Sequence, residues 1–260
     1  MGDLRLPSHV LITGASGGIG AALARAYARH GVRLSLCARN QARLEAVADS
    51  CRARGAQVDT AILDVTDIEC LQQWLSKCDA QAPVDLLIAN AGRTLNVGPN
   101  GEEESWADTR SLLATNVDSA LASVIALVGP MRRRGHGQIA LVSSLAGYRG
   151  MAITPAYCAS KAAVKAYGEA LRGLVASDGV GVSVICPGFV ESEMSRHFPG
   201  SKPFMISSER AATIIQHGLA RNRARISFPF PLNFGTWLLT LLPAGFADFI
   251  LQRLSYGRSR

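Results

Sequence analysis

The stretch LITGASGGIG, residues 11–20, links a short apolar run to the start of a helical pattern. The run HVLIT (9–13) predicts a β-strand, and residues 18–30 predict an α-helix. Glycines spaced G-x-x-x-G-x-G at the junction allow a tight turn, close backbone approach to a ligand and close packing of helix on strand. The free N–H groups at the helix N-terminus can hold a pyrophosphate. The stretch therefore predicts a dinucleotide-binding turn, to which we assign Gly14, Ser16, Gly18, Ile19 and Gly20.

The same alternation of short apolar runs and helical stretches continues along the chain. It predicts βαβ units and a parallel sheet that helices cover on both faces. The further strands are predicted at 32–38, 57–63, 84–90, 137–144 and 181–187. The further helices are predicted at 40–54, 67–78, from beyond residue 90 to about 133, and at 155–177. We expect one dinucleotide-binding and catalytic domain over residues 1–228 and a hydrophobic C-terminal tail over 229–260.

Composition and charge exclude several classes of partner. The 260 residues are 48% hydrophobic, enough for the core of one large domain, and the net charge is +7. The basic residues are scattered except in MRRRGHG (131–137), which we interpret as a helix C-terminus. No aromatic residues interleave with that cluster, so we expect no nucleic-acid partner. The six cysteines form no CxxC and no metal-ligand spacing, which favours reduced thiols in the cytoplasm and no metal site.

The end of the second predicted strand bears on the choice of cofactor. In a dinucleotide fold an acid near this position binds the adenosine ribose and favours NAD. Here LSLCARNQ (34–41) has Ala38 in that place, followed by Arg39. A guanidinium can pair with the 2′-phosphate of NADP, and no carboxylate stands at this position to repel that phosphate. We therefore expect NADP(H) rather than NAD; the alternative is that Arg39 is a solvated loop residue.

Two more strand ends complete the predicted cofactor site. Asp64 and Val65 follow the third strand, where they can flank an adenine. Asn90, Ala91 and Gly92 end the fourth strand, and these small residues leave room for a ribose. Open α/β sheets bind ligands at the carboxyl ends of their strands, where all these residues are predicted to lie.

The helix predicted over 155–177 carries a tyrosine and a lysine four residues apart. Tyr157 and Lys161 therefore share one helix face. A phenol has a pKa near ~10, and a nearby ammonium lowers it, so the pair predicts a proton donor and acceptor usable near neutral pH. Ser144, at the end of the fifth strand, can hold a substrate oxygen beside the phenol. Cys158 is an alternative nucleophile, but no histidine lies near it in sequence.

Taken together, these motifs resemble the short-chain dehydrogenase/reductase family in its ~250-residue subtype, over about residues 7–228. The resemblance implies a Rossmann-like, doubly wound, three-layer α/β/α domain and hydride transfer between NAD(P) and a carbonyl or alcohol. It also implies a tetrad of Asn116, Ser144, Tyr157 and Lys161. The motifs that carry it are TGxxxGxG (13–20), NAG (90–92), Asn116, Ser144, Tyr157-x-x-x-Lys161 and PG (187–188).

In the reduction of a carbonyl the resemblance gives each tetrad residue a role. Tyr157 protonates the developing alkoxide, and Ser144 polarises and positions the carbonyl. Lys161 lowers the tyrosine pKa and hydrogen-bonds the nicotinamide ribose. Asn116 holds a water that links the lysine to solvent. The family also implies dimers or tetramers built through the two long helices.

The segment PGFVES (187–192) resembles the family pattern PGxVxT. The resemblance implies that Pro187, Gly188, Val190 and Ser192 line the nicotinamide, with serine keeping the hydroxyl of the usual threonine. Residues 193–206 would then form a mobile substrate loop.

The tail ISFPFPLNFGTWLLTLLPAGFADFIL (226–251) is apolar and has arginines on both sides, among them Arg258 and Arg260. Its length suits a membrane span, although prolines interrupt it. Phe246, Phe249 and other apolar residues at helical spacing suit an amphipathic segment at a membrane interface. A lid over the substrate or an oligomer contact is the third interpretation.

The tail favours a hydrophobic ketone substrate, such as a long-chain 3-ketone, a sphingoid or a sterol-like ketone, over a sugar. The alternatives are a 3-oxoacyl thioester reductase, a reductase of envelope polysaccharide assembly, a nucleotide-sugar epimerase or dehydratase, and a non-catalytic nucleotide-binding scaffold. The complete tetrad argues against the scaffold. Too few residues follow Pro187 for the substrate domain of an epimerase.

Overall fold

The computed structural model describes residues 7–97, 103–196, 198 and 201–254. Within these residues seven parallel strands form one sheet, in the order β3-β2-β1-β4-β5-β6-β7. The strands are β1 His9–Thr13, β2 Arg33–Ala38, β3 Gln57–Ile62, β4 Leu86–Ala89, β5 Gly137–Val142, β6 Val180–Pro187 and β7 Arg225–Phe228. The predicted fold class, a Rossmann-like doubly wound parallel sheet, is confirmed.

Helices cover both faces of the sheet. In the described residues they are α1 Gly18–Tyr27, α2 Gln41–Arg52, α3 Ile68–Gln81, α4 Trp106–Leu113, α5 Ser119–Arg134, α6 Pro155–Leu174, α7 Glu193–Arg196, α8 Ser208–Ala220, α9 Leu232–Leu239 and α10 Ala244–Arg253. A π-helical turn, Ala114–Asp118, joins α4 to α5 without a break.

Two apolar cores lie on opposite faces of the sheet. One packs α1, α2 and α8 against it, and the other packs α3, α5 and α6. Five of the strands, β1, β2, β4, β5 and β6, are buried along almost their whole length, as expected of a parallel sheet covered on both sides. Side-chain caps fix where helices begin: the Asn40 side chain accepts from the Arg43 N–H at the start of α2, and Ser207 accepts from Arg210 at the start of α8.

The strand order reverses at β1, which pairs with β2 on one side and with β4 on the other. Thr13 is in register with Cys37, and Ile12 with Ile88. The chains that leave β1 and β4 therefore diverge to opposite faces and open a crevice at the carboxyl ends. The functional residues predicted from sequence follow these strands.

Several elements differ from the sequence predictions. Helix α8 and strand β7 were not predicted. The apolar stretch 226–251 starts inside the sheet, because Ile226 to Phe228 belong to β7 and pair with β6, so the tail itself begins after residue 228. The predicted loop 193–206 contains the short helix α7, while its residues 197, 199 and 200 lie outside the described residues.

The tail forms two separate short helices. At 1.5 Å per residue α9 and α10 are about 12 and 15 Å long, against a hydrocarbon core of ~30 Å. The interpretation of the tail as a membrane span is therefore wrong. One described stretch, Trp106–Arg134, is long and apolar enough for a span by composition alone, and its packing in the core on α3 and β5 accounts for that composition. Arg258 and Arg260 lie outside the described residues.

Candidate functional site

A cavity of about 1080 Å³ opens at the carboxyl ends of the strands, at the crevice beside β1. All predicted cofactor residues line it except Gly20, and all tetrad residues line it except Asn116. One half is bounded by the glycine-rich turn and the ends of β2 and β3. The other half is bounded by the loops after β5 and β6 and by the tail helices.

Gly14 and Gly20 fit the backbone of the turn and leave no room for side chains. Gly14 has φ +68°, a left-handed conformation that favours glycine, and a Cβ there would lie 2.8 Å from the Ala91 Cα. A Cβ on Gly20 would lie 2.3 Å from the Gly14 carbonyl oxygen. The Asn90 side chain donates to the carbonyl oxygens of Thr13 and Gly14, both at 3.0 Å. Gly20 thus supports the turn from beneath, and Asn90 ties the turn to the end of β4.

The N-terminus of α1 faces the cavity as an anion site. Gly17 caps the helix without a side-chain hydrogen bond, and the first turn holds no acidic residue. The first N–H groups of α1 are therefore free to bind an anion, and the helix dipole favours one. Gly18 has φ +50°, and a Cβ there would lie 3.3 Å from the Ser192 Cβ, so the turn and the segment after β6 approach closely.

The end of β2 presents cations and no carboxylate of its own. Ala38 is buried, and the Arg39 side chain is 76% exposed with Nη1 3.7 Å from Asp64 Oδ2. Hydrogen bonds from the backbone and hydroxyl of Thr66 to Asp64 Oδ1, with help from Arg39, hold the Asp64 pKa below its usual value. Because Thr66 already donates hydrogen bonds to the Asp64 carboxylate, the Arg39 guanidinium stays largely in solvent and can turn towards a phosphate.

Asn40 and Arg43 also line this end of the cavity and were missed by the sequence analysis. Asn40 caps α2 and Arg43 lies in its first turn; the signal for them was available, since Asn40 stands in a helix-capping position directly after Arg39. Arg43 forms an ion pair with Glu193 of α7. This pair joins the cofactor end of the cavity to the predicted substrate loop.

The predicted Tyr–Lys–Ser group lies in the middle of the cavity. Tyr157 and Lys161 project from the first two turns of α6, and the lysine Nζ lies 5.8 Å from the centre of the phenol ring. The Lys161 ammonium donates to the Val142 carbonyl oxygen at 3.0 Å. Ser144 Oγ accepts from the Ala146 N–H at 3.1 Å, which fixes the serine at the end of β5.

The neighbouring Ser143 has a different environment. It is buried, and its hydroxyl donates to the Lys161 carbonyl oxygen at 2.7 Å. That bond ties β5 to the backbone of α6. Ser144 Oγ, in contrast, lines the cavity within reach of Tyr157, where it also donates to the Pro187 carbonyl oxygen at 3.4 Å.

Burial shifts the pKa of the tyrosine and of the lysine in opposite directions. It raises the pKa of Tyr157 to about 12, and the Ser144 hydroxyl opposes the rise. It lowers the pKa of Lys161 to about 8. The predicted lowering of the phenol pKa is therefore wrong for this structure. The reason is geometric, because the ammonium points at Val142 and not at the phenol oxygen.

Asn116 lies behind the cavity in the π-helical turn. Its Oδ1 accepts from the Arg93 N–H at 2.8 Å, and its Nδ2 donates to the Arg93 carbonyl oxygen and to Ser160 Oγ, both at 3.0 Å. Ser160 Oγ in turn donates to the Tyr157 carbonyl oxygen at 2.7 Å. The Asn116 amide thus joins the end of β4 to the first turn of α6. The role of a water holder, implied by the family resemblance, stays a prediction.

The other half of the cavity is an apolar chamber, which the sequence analysis did not resolve residue by residue. Its wall consists of the loops after β5 and β6 and the tail helices, with the apolar side chains Leu145, Met151, Phe189, Phe198, Phe204, Leu232, Phe234, Leu238, Leu239, Leu242, Ile250, Leu251 and Leu254. Arg149 lies at the rim and forms an ion pair with Asp248 of α10. The tail is therefore a wall of this chamber, as the lid interpretation expected.

Comparison with known proteins identifies the class of protein. The family model for short chain dehydrogenases matches residues 8–201, and the chain belongs to the short-chain dehydrogenase/reductase family. It is an oxidoreductase of a family that binds nicotinamide cofactors and small-molecule substrates.

Three similar proteins illustrate the match. An uncharacterized oxidoreductase of Myxococcus xanthus (strain DK1622) is 37% identical, over 94% of this chain and 96% of the relative. The 3-oxoacyl-[acyl-carrier-protein] reductase of Escherichia coli (strain K12) is 34% identical, over 72% and 75%. The solved short-chain dehydrogenase from Sphingobium yanoikuyae in complex with NADPH has a TM-score of 0.78 at 25% identity, covering 86% of this chain and 88% of that one.

Proposed function

We propose that this enzyme uses NADPH to reduce a hydrophobic ketone to an alcohol. The observation that carries the proposal is the position of Tyr157, Lys161 and Ser144 between a cationic, glycine-rich cleft and an apolar chamber. A dinucleotide bound in the cleft and a ketone bound in the chamber would meet at this group.

The residues of the cleft fit NADPH better than NADH. The free N-terminus of α1 suits the pyrophosphate, and the small residues at the end of β4 leave space for a ribose. Arg39 and Arg43 supply cations where a 2′-phosphate would lie, and Ala38 supplies no carboxylate to repel it. The solved relative from Sphingobium yanoikuyae is described with NADPH, which supports the same choice. When bound, the cofactor supplies the hydride.

The chain's own residues then manage the substrate oxygen and its proton. Ser144 Oγ orients the carbonyl by hydrogen bonding to its oxygen. Tyr157 is the general acid, and its raised pKa keeps the phenol protonated at neutral pH, the form that can donate. The Lys161 ammonium stabilises negative charge that forms beside the phenol once the proton has left. The hydrogen bonds of Asn116 hold β4 and α6 in the register that this group needs.

The chamber favours a bulky apolar substrate. Apart from Arg149 and Thr154, the side chains that surround it are mainly phenylalanine, leucine and methionine. A sugar would leave its hydroxyl groups without partners against such walls, at a cost of about 1–3 kcal/mol for each unpaired group. A long-chain or polycyclic ketone has no such penalty. A 3-oxoacyl thioester is the second candidate, favoured by the similarity to the Escherichia coli reductase.

We further propose that the enzyme works in the cytoplasm as a dimer or tetramer. All six cysteines are unpaired, as a reducing compartment requires. Trp106 of α4, Ile125 of α5 and Leu174 of α6 are large apolar residues more than 60% exposed, so the long helices offer contact surfaces to further copies.

Replacement of the general acid tests the proposal. Tyr157→Phe removes the hydroxyl and keeps the ring, so NADPH binding, followed by nicotinamide fluorescence, should persist. Turnover of a long-chain ketone should fall at least about a hundredfold, the usual contribution of a general acid. Tyr167→Phe, ten residues further along α6 and away from the cavity, is the matched control and should keep its turnover. Unchanged turnover in Tyr157→Phe would refute the assignment.

A further inference from the structure

The tail helices and the turns beside them expose an outer face of large apolar side chains. This outer face consists of Phe230, Trp237, Leu241, Phe246 and Phe249, each of which is at least 42% exposed. None of these five lines the cavity. Phe230 alone leaves 78% of its surface in solvent. Five such residues within 20 positions are more than scattered surface hydrophobes, and they mark an interaction surface.

The opposite sides of the same helices line the chamber. Leu239, Leu242 and Leu251 are among the chamber residues and are not part of the outer face. Phe234 of α9 lines the chamber, and its ring lies 5.7 Å from the ring of Trp237, which belongs to the outer face. The apolar lining of the chamber therefore meets the outer face along α9.

The one charge of the segment 226–254 that lies beside the outer face and is not the ion-paired Asp248 is cationic, Arg253. Asp248 is the single acidic residue between positions 226 and 254, and Arg149 already pairs with it. The Arg253 guanidinium lies 4.6 Å from the centre of the Phe249 ring, at the edge of the face. An apolar face of aromatic residues with a cationic edge is complementary to an anionic lipid surface.

We propose that the outer face docks on an anionic lipid bilayer and that the ketone enters the chamber directly from the bilayer, past α9. The choice of substrate class rests on the proposed function; the docking itself does not. Helices of about 12–15 Å suit a position parallel to the membrane surface, with aromatic side chains at the level of the headgroups. A membrane-dissolved ketone then reaches Tyr157 along a continuous apolar path without crossing water.

Vesicle flotation of the full-length protein tests the docking. The probes are vesicles of phosphatidylcholine alone and of phosphatidylcholine mixed with phosphatidylglycerol. The wild type should float with the mixed vesicles and less with the neutral ones, and added salt should weaken the difference. Leu241→Asn and Phe246→Asn should each lower the partition coefficient about tenfold, the equivalent of one large side chain withdrawn from an apolar phase. Ile62→Thr, at the edge strand β3 and 52% exposed, is the control and should float as the wild type does.

Activity measurements separate this inference from the proposed function. The two tail variants should keep kcat/KM for a short water-soluble ketone and lose at least about tenfold with a long-chain ketone dissolved in the vesicles. Wild type that stays off both vesicle types while it reduces ketones would overturn the docking and leave the function standing. Flotation without turnover of any ketone would support the docking and overturn the proposed function. A third outcome is that the wild type does not bind vesicles and that light scattering shows a dimer which the tail variants lose. This outcome would assign the outer face to a subunit contact and also overturn the docking.

Discussion

The buried charge of Lys161 should lower the free energy of unfolding, although the proposed reaction needs this residue. It is almost fully buried, and its pKa falls from 10.5 to about 8. That depression corresponds to about 3 kcal/mol of unfavourable free energy for keeping the ammonium charged in the folded state. Lys161→Met removes the charge and keeps most of the volume. It also removes the hydrogen bond to the Val142 carbonyl oxygen, a loss of about 1.5–2 kcal/mol because the donor is charged. The variant should therefore be about 1 kcal/mol more stable than the wild type at neutral pH and inactive.

The gain should depend on pH in a definite direction. Below pH 8 the lysine is protonated in both the folded and the unfolded chain, so the full penalty acts on the wild type. Between about pH 8 and 10.5 the unfolded chain binds more protons than the folded one, and the wild type gains stability relative to the variant. Above that range lysine is neutral in both states, and the variant keeps only the deficit of the lost hydrogen bond.

Urea unfolding of the cofactor-free proteins measures this difference, because bound cofactor would stabilise the two proteins unequally. The control is Lys165→Met, one turn further along α6, where the lysine pairs with Glu169. That variant should be neutral or slightly destabilised, since it loses a surface ion pair of at most about 1 kcal/mol. A Lys161→Met variant less stable than the wild type at pH 7, or a difference that does not change between pH 7 and 10, would refute the argument that burial of the charge controls stability here.

Two further substitutions test the cofactor end. Arg39→Ala should weaken NADPH binding about tenfold and leave NADH binding unchanged, because it removes one exposed charge-assisted bond to the 2′-phosphate; nicotinamide fluorescence titration measures both, and an equal loss for the two cofactors would contradict the assignment. Gly20→Ala should destabilise the protein by about 2–3 kcal/mol and abolish cofactor binding, since the new Cβ would meet the Gly14 carbonyl oxygen at 2.3 Å and Asn90 Nδ2 at 2.6 Å. Gly150→Ala is its control in thermal unfolding, because a Cβ there meets nothing within 4 Å and should leave the melting temperature unchanged.

The six strands predicted from sequence share a property that composition reveals. Each is a run of apolar residues that ends at a turn signal, and most are buried on both faces. Strand β7, RISF, has four residues and is followed directly by proline, and its apolar residues merge with those of the tail. No change of period separates the strand from the apolar residues of α9. Helix α8 could have been found, since Ser207 caps it and apolar residues such as Ala211 and Ile215 recur at helical spacing.

In the candidate site, features set by nearby residues can be predicted from sequence, and features set by distant residues cannot. The proximity of Tyr157 and Lys161 follows from a spacing of four along one helix, so sequence predicts it. The direction of the ammonium follows from the Val142 carbonyl oxygen on β5, 19 residues away, and sequence reasoning has no access to that bond. The pair between Arg149 and Asp248 spans 99 residues and depends on how α10 packs on the loop after β5.

The tail explains why sequence alone left three interpretations open. Helix α9, LNFGTWLL, is apolar nearly all round, and such a helix suits a core, a lid or a membrane equally well. The structure divides its side chains between two directions: Leu239 faces the chamber, and Trp237 faces outward. A lid and a docking face are therefore compatible in one segment and do not compete for the same residues. Because the two sets of side chains differ, substitutions that face the chamber should change how the substrate fits, and substitutions on the outer face should change membrane binding. Each role can therefore be tested without disturbing the other.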